Sequence, residues 1–170
     1  MSLEYKNFAG LPATQQEEIA ALVSSYTKGL LGEIPQMLPV EPEDLWNKQL
    51  GYVALADQAF AGYIGASPPE VNNGSLMAEV GTLWVPLEHR KKGIAHQLIN
   101  VISQDLHLGG QLPYAFGNKL SQPIFEILGY QAAPDTAVPP SALGACALCP
   151  AKPDQGGCCD TILVFEGGTQ

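Results

Sequence analysis

The chain has 170 residues, 46% hydrophobic and 15% charged, and its seventeen Asp and Glu against eight Lys and Arg give a formal charge of -9. That length suits one domain of roughly 100–200 residues spanning 1–170, with enough apolar surface for a packed core and too much for a disordered chain. The acidity excludes wrapping of duplex nucleic acid, which needs an extended basic footprint, and no apolar run reaches the roughly 18 residues of a membrane span.

In chain order, "EYKNFAGL" reads as a short strand, and Thr14 with Glu17 forms a capping box ahead of an apolar pattern through Ile19, Leu22 and Tyr26, which predicts a helix over about 14–30. Three prolines break the next stretch, and Pro42 suits the first turn of a short helix carrying Leu45 and Trp46. "GYVALADQAFAGYIGAS" is a hairpin turning at Asp57 and Gln58, and "PPEVNNGS" is a loop. "LMAEVGTLWVPL" is a strand, with Gly81 marking a bulge or a close backbone approach. From Gly93, the spacing of Ile94, Leu98, Val101, Ile102 and Leu106 predicts a helix that stops at "LGG". "LPYAFGN" is a strand, "LSQPIFEILGY" a short helix ending at Gly129, and "TILVFEG" a closing strand. Residues 131–160 form a Pro-, Gly- and Cys-rich segment with little periodicity.

The only arginine, Arg90, opens "RKKGIAHQL" at the strand-to-helix junction. A helix that begins there leaves its first N–H groups without intrahelical partners, and the macrodipole adds positive potential. Gly93 lets a ligand approach the backbone, Ala95 keeps the first turn narrow, and Arg90, Lys91 and Lys92 add charge around Ile94, so the junction suits an anion such as a pyrophosphate. Neither common phosphate loop, G-x-x-x-x-G-K-[ST] or G-x-G-x-x-G, is present, which disfavours nucleotide hydrolysis and dinucleotide redox chemistry.

Arg90, Gly93 and Ala95 resemble the R/Q-x-x-G-x-G/A signature of the GNAT superfamily of acyl-CoA-dependent N-acetyltransferases, and "AEVGTLWVPLEHRKKGIAHQLI" resembles that family's signature strand, loop and helix. "NKLSQPIFEILGY" is similar to its second segment, with Asn118, Ser121, Phe125, Gly129 and Tyr130 at matching intervals. The resemblance covers about residues 50–130. It implies an α/β (α+β) fold, a twisted, mostly antiparallel mixed sheet with helices on both faces, and acetyl transfer from the cosubstrate acetyl-CoA to a primary amine of a small molecule or peptide within a ternary complex. It implies CoA contacts at Leu83, Trp84 and Val85, at residues 90–95, and at Asn118 and Phe125. Glu79 lies eleven residues before Arg90, where some members carry a general base. Many members have a tyrosine where this chain has Phe125, which has no proton for the leaving thiolate, and Ser121 and Tyr130 are the candidate substitutes. Plain alternatives stand beside these roles: Glu79 as a solvent-face carboxylate, Asn118 as a helix cap, Phe125 as packing, and Tyr63, Trp46 and Trp84 as core or pocket-wall aromatics.

All four cysteines, Cys146, Cys149, Cys158 and Cys159, lie in "CALCPAKPDQGGCCD". They are a candidate tetrahedral zinc site, a disulfide or redox pair, or reduced thiols. His89, His96 and His107 show no metal-ligand spacing. "MSLEYKNFAG" lacks a basic region followed by a hydrophobic stretch, so no export signal is expected. The expected protein is a cytoplasmic monomer or homodimer, with CoA and an amine, cationic in keeping with the acidic surface, as partners and no nucleic acid or membrane among them. Two rival functions follow from the same residues: a non-catalytic acyl-CoA-binding or sensory module, and a cysteine-rich metal or redox interaction module.

Overall fold

The computed structural model describes residues 2–144 and 161–167. Strand β1 (Leu3–Asn7) leads through a 3-10 turn into α1 (Ala13–Thr27) and α2 (Pro42–Trp46). There follow β2 (Leu50–Ala56), β3 (Ala59–Ala66), β4 (Glu70–Asn72), β5 (Ser75–Trp84), α3 (Ile94–Leu108) and β6 (Leu112–Gly117). The chain continues through α4 (Gln122–Ile127), β7 (Tyr130–Ala133), α5 (Pro140–Gly144) and β8 (Thr161–Phe165).

These strands form one sheet in the order β1-β2-β3-β5-β6-β8-β7, with β4 folded back on the start of β5. Every pairing is antiparallel except β5 with β6. A parallel pair needs a crossover, and α3 supplies it. The result is the twisted, mostly antiparallel mixed sheet with helices on both faces that the resemblance implies.

Helix α3 covers one face: Leu98, Ile99 and Ile102 are each 0% exposed and pack with Ala54, Ile64, Ala78 and Val80. It sits low because Gly62 has no side chain; a Cβ there would lie 3.1 Å from Leu98 Cδ1 and 3.2 Å from Ile94 Cγ2. Helices α1 and α2 cover the opposite face through Ile19, Val23, Tyr26 and Leu45, against Val53, Leu55, Tyr63 and Trp84. Further along that second face, Met77, Tyr114 and Ile162 pack beneath Val138 and Ala142.

Several local expectations are corrected. Helix α1 begins at Ala13 with Pro12 as its N-cap and ends at Thr27, so the Thr14–Glu17 capping box does not form. Thr14 lies inside the first turn, and Gln16 ties the helix start down by donating to the carbonyls of Ala9 and Leu11. The supposed loop at 68–75 contains β4, which turns back on β5 at Asn73 (φ +48°) and Gly74 (φ +81°). Asn-Gly is the signal for that tight hairpin, and it stands in the sequence. The N-terminal strand stops at Asn7, whose side chain accepts from the Ala9 N–H and starts the 3-10 turn. Residues 130–133 are a strand despite their lack of periodicity, because β8 supplies their backbone partners.

Candidate functional site

The central strand β5 changes register once. Tyr63 pairs with Trp84 and Gly65 with Gly81, so two steps along β3 face three along β5, and the extra residue is accommodated at Thr82, whose φ is +53°. The bulge therefore falls one residue beyond Gly81. It inverts the alternation of the strand: Ala78 and Val80 face α3 and Glu79 and Gly81 the opposite side, while after the bulge Leu83 and Val85 join the α3 core and Trp84 crosses to stack on Tyr26 at 4.5 Å.

Strand β6 pairs with β5 only along Met77–Glu79, then continues beside β8. Among the described residues, Val80 to Trp84 have no strand partner on the β6 side, and a wedge opens between the two parallel strands toward their C-terminal ends. Such a crevice is where open α/β sheets take ligands. At the mouth of this wedge α3 begins. Its turn uses two left-handed residues, Lys91 (φ +58°) and Gly93 (φ +78°), and its first backbone bond runs from Gln97 N–H to Gly93 O at 3.1 Å. The N–H groups of Ile94, Ala95 and His96 precede that bond and point out of the helix end. A Cβ placed on Gly93 would meet nothing within 4 Å, so the chain is unobstructed on that side of the helix start.

The three basic residues of the motif divide their work. Arg90 is committed to the protein: its Nε donates to Val85 O at 2.8 Å and its guanidinium pairs with Glu33 Oε2 at 2.5 Å, joining the end of β5 to the α1–α2 connection. Lys92 is exposed, with its ammonium on Glu88 O at 2.8 Å, and Lys91 is exposed beside it.

Glu79 sits where the β5–β6 pairing ends, on the α1 face, opposite Tyr114 in the parallel register. Burial pushes its carboxyl above the ordinary 4.5, and the charge of Lys48 opposes part of that rise. Tyr114 is raised as well, first by burial and then by the negative charges of Glu79 and Glu70. The Glu79 backbone is fixed on its other edge, accepting from Ser67 N–H at 2.9 Å while its own N–H donates to Ser67 Oγ at 3.0 Å.

The second sequence segment behaves largely as structure. Asn118 is 6% exposed and uses its Oδ1 to accept from the N–H groups of Leu120 (2.9 Å) and Ser121 (3.0 Å), capping the turn into α4. Ser121 Oγ accepts from Asn118 N–H at 3.1 Å and donates to Asn118 Oδ1 at 3.2 Å. Phe125 is buried edge-on against Tyr130 at 4.9 Å. Tyr130 is turned away from the wedge: its ring is 2% exposed in the α3 core and its hydroxyl lies 2.6 Å from Ser103 Oγ. Ser103 donates its single proton to Ile99 O, so Tyr130 is the donor in that pair. With that hydroxyl engaged inside the core, Tyr130→Phe should lower stability by about 1 kcal/mol and leave turnover unchanged, measured by thermal melts beside a rate assay; a fall in turnover would instead support Tyr130 as the proton source for a leaving group.

The sequence reading passed over Lys48, Tyr114 and Ser67, which reach Glu79 from three other elements and carry no local motif. Among the described residues no group of three or more His, Cys, Asp or Glu could hold a metal ion. The candidate zinc ligands Cys146, Cys149, Cys158 and Cys159 lie outside the described residues. No helix among the described residues is long and apolar enough to cross a membrane.

Residues 19–130 match the family model of the acetyltransferase (GNAT) family. No curated protein matches the sequence. The fold is similar to a GNAT-family acetyltransferase from Staphylococcus aureus Mu50, at 14% identity and a TM-score of 0.63 over 96% of this chain and 98% of that one. It is similar to N-acetylglutamate synthase from Neisseria gonorrhoeae, solved with coenzyme A and N-acetyl-glutamate, at 14% identity and a TM-score of 0.63 over 97% of this chain but 35% of that one. A third likeness is a predicted acetyltransferase from Clostridium acetobutylicum solved with acetyl-CoA, at 12% identity and a TM-score of 0.58 over 79% of this chain and 93% of that one.

Proposed function

Because this chain belongs to the acetyltransferase (GNAT) family, we propose that it transfers an acetyl group from acetyl-CoA to a primary amine by direct attack within a ternary complex. The observation that carries this reading is the open helix end behind Gly93 at the mouth of the β5–β6 wedge. Free N–H groups at a helix N-terminus are a ready site for phosphate oxygens. In this reading Ile94, Ala95 and His96 donate to the pyrophosphate of CoA while Lys91 and Lys92 add charge, and Arg90 holds the cradle's walls together.

The unpaired edge of β5 takes the pantetheine arm as an added strand, and the backbone around Leu83, Trp84 and Val85 polarises the thioester carbonyl. Glu79 accepts the proton of the attacking amine, directly or through water; a carboxyl raised by burial is better matched to that task than an exposed one. Ser121 is the remaining hydroxyl of the second segment for the departing sulfur, which with a thiol pKa of roughly 8.5 also leaves unassisted. The formal charge of -9 draws a protonated amine toward the molecule, a long-range effect that leaves the pocket's own preference open.

The test pairs binding with turnover. Acetyl-CoA at a hundredfold excess over its Kd should stabilise the protein by about 2.7 kcal/mol, or roughly 5–10 °C in Tm for a chain of this size. A panel of amines, amino acids and peptide N-termini should then release free CoA. Stabilisation without release from any amine would replace this reading with that of a non-catalytic acyl-CoA-binding module.

A further inference from the structure

Three glycines stand in register across the α1 face of the sheet. Gly51 of β2 pairs with Gly65 of β3, which pairs with Gly81 of β5. At a strand spacing of about 4.8 Å they leave a lane about 10 Å long without side chains of its own. Neighbouring side chains lie over it. A Cβ at Gly65 would fall 2.9 Å from the Tyr63 hydroxyl and 3.1 Å from Lys48 Cγ, one at Gly51 would fall 3.1 Å from the same hydroxyl, and one at Gly81 would fall 3.4 Å from Glu79 Oε1. Tyr63, Lys48 and Glu79 thus share one stretch of sheet.

Among the described residues, the first two of these groups have no hydrogen-bond or ion-pair partner. Tyr63 is 0% exposed and its hydroxyl makes no hydrogen bond. Leaving such a donor unbonded costs about 1–3 kcal/mol. Lys48 takes no part in the ion pairs of the described residues, which are Lys6–Glu4, Lys28–Glu41 and Arg90–Glu33. Its charge nonetheless reaches Glu79. Ammonium and carboxylate therefore stand apart by more than the 4.0 Å of an ion pair, on the same face. Beside Lys48 the lane meets a cleft of about 120 Å³, lined by Phe8, Leu45, Trp46 and Gly51 together with the polar Asn7, Gln16 and Gln49.

We propose that the acceptor is a primary amine bearing a carboxylate, as an α-amino acid does, with that carboxylate held by the Lys48 ammonium and the Tyr63 hydroxyl and an apolar side group in the cleft. The inference rests on the acetyl-transfer reading and deepens it. Two proton donors over one stretch of sheet, next to the Phe8, Leu45 and Trp46 side chains, match an anion with an apolar group; a second ammonium, as in a polyamine, would be repelled by Lys48. Glu79, at the far end of the lane, faces the nitrogen. The molecule's overall acidity still favours approach of an ammonium, while the local cation selects which ammonium compounds stay.

The experiment is calorimetric titration of the full-length protein saturated with CoA, using leucine, leucinamide and isopentylamine as probes. Leucine should bind at least about tenfold more tightly than either of the others, the scale of one charge-assisted hydrogen bond. Lys48→Met, which keeps the stem over Gly65, should bring the leucine-to-leucinamide ratio close to one, and Tyr63→Phe should lower it several-fold. Leucinamide binding as tightly as leucine overturns the proposal, and so does a preference undiminished in both variants. Tyr63→Phe should melt no lower than the wild type, since the lost hydroxyl has no partner; a lower Tm with unchanged preference assigns that group to the core and overturns its role. The readout does not need turnover. Carboxylate-dependent binding with no CoA release would sink the transfer reading and leave the subsite standing, whereas CoA release indifferent to a carboxylate would do the reverse.

Discussion

Glu79→Gln should reduce kcat/KM for acetyl transfer by about 10²–10⁴-fold, the usual contribution of a positioned general base, while the Kd for acetyl-CoA stays within about twofold. Gln keeps the size and hydrogen-bonding reach of the side chain and removes only its ability to take a proton. The pH profile gives a second check. Burial holds the Glu79 carboxyl above 4.5, so the acid limb of kcat/KM should lie above the ordinary carboxylate range in the wild type and vanish in the variant. The stability consequence has the opposite sign to that of a paired carboxylate. The folded-state pKa exceeds the unfolded one, so protonation at this position favours the folded state below 4.5, and that contribution is lost as pH rises through the folded value. At neutral pH the ionised group is a burden, and Glu79→Gln should melt no lower than the wild type. Unchanged turnover in this variant would remove Glu79 from the chemistry. A drop in Tm would mark it as a stabilising contact instead.

Substitution of Gly93 should weaken cosubstrate binding by about 10²-fold, by a route that can be separated from misfolding. Gly93 combines a φ of +78° with open space where a side chain would project. Gly93→Val forces a β-branched residue into the left-handed region at about 1–2 kcal/mol, or roughly 2–8 °C of Tm, and also places methyl groups in front of the helix end. Gly93→Asn keeps the backbone, because Asn tolerates that conformation, yet fills the same space. Both should weaken acetyl-CoA binding by about 10²-fold, the scale of one or two charge-assisted bonds to phosphate. Only the valine variant should also melt several degrees lower. Acetyl-CoA binding that survives in the asparagine variant would place the phosphate site elsewhere.

The junction at 90–95 was legible because its signals are local. A basic tripeptide, a glycine and a helical apolar period sit in one short stretch, and the helix end follows from backbone geometry alone. The Asp57–Gln58 hairpin was legible for the same reason, both residues having positive φ as a tight turn requires. The role of Arg90 was not. Its partners are the carbonyl of Val85 and the carboxylate of Glu33, and the second of these lies in a connection that carries no motif. Tyr130 shows the same limit, since its interval within the second segment suits a place in the site while its hydroxyl bonds Ser103 inside the core. Sequence spacing gives an order along the chain but not the direction of a side chain once a short helix and a turn intervene.

By itself the sequence determined the elements whose causes are near neighbours: the amphipathic period of α3, the hairpin of β2 and β3, the glycine at the helix start and, through these, the family. Tertiary structure decided what depends on distant partners. Strand β7 exists because β8 pairs with it. The bulge at Thr82 sends Trp84 to the α1 face that Glu79 and Gly81 already share. Lys48, two residues beyond α2, shares one face of the sheet with Tyr63 and Glu79 because Gly51, Gly65 and Gly81 line up across three strands. Local sterics and backbone hydrogen bonding act over a few residues and can be read directly, whereas the register between strands arises from the packing of whole faces and appears only when they are assembled.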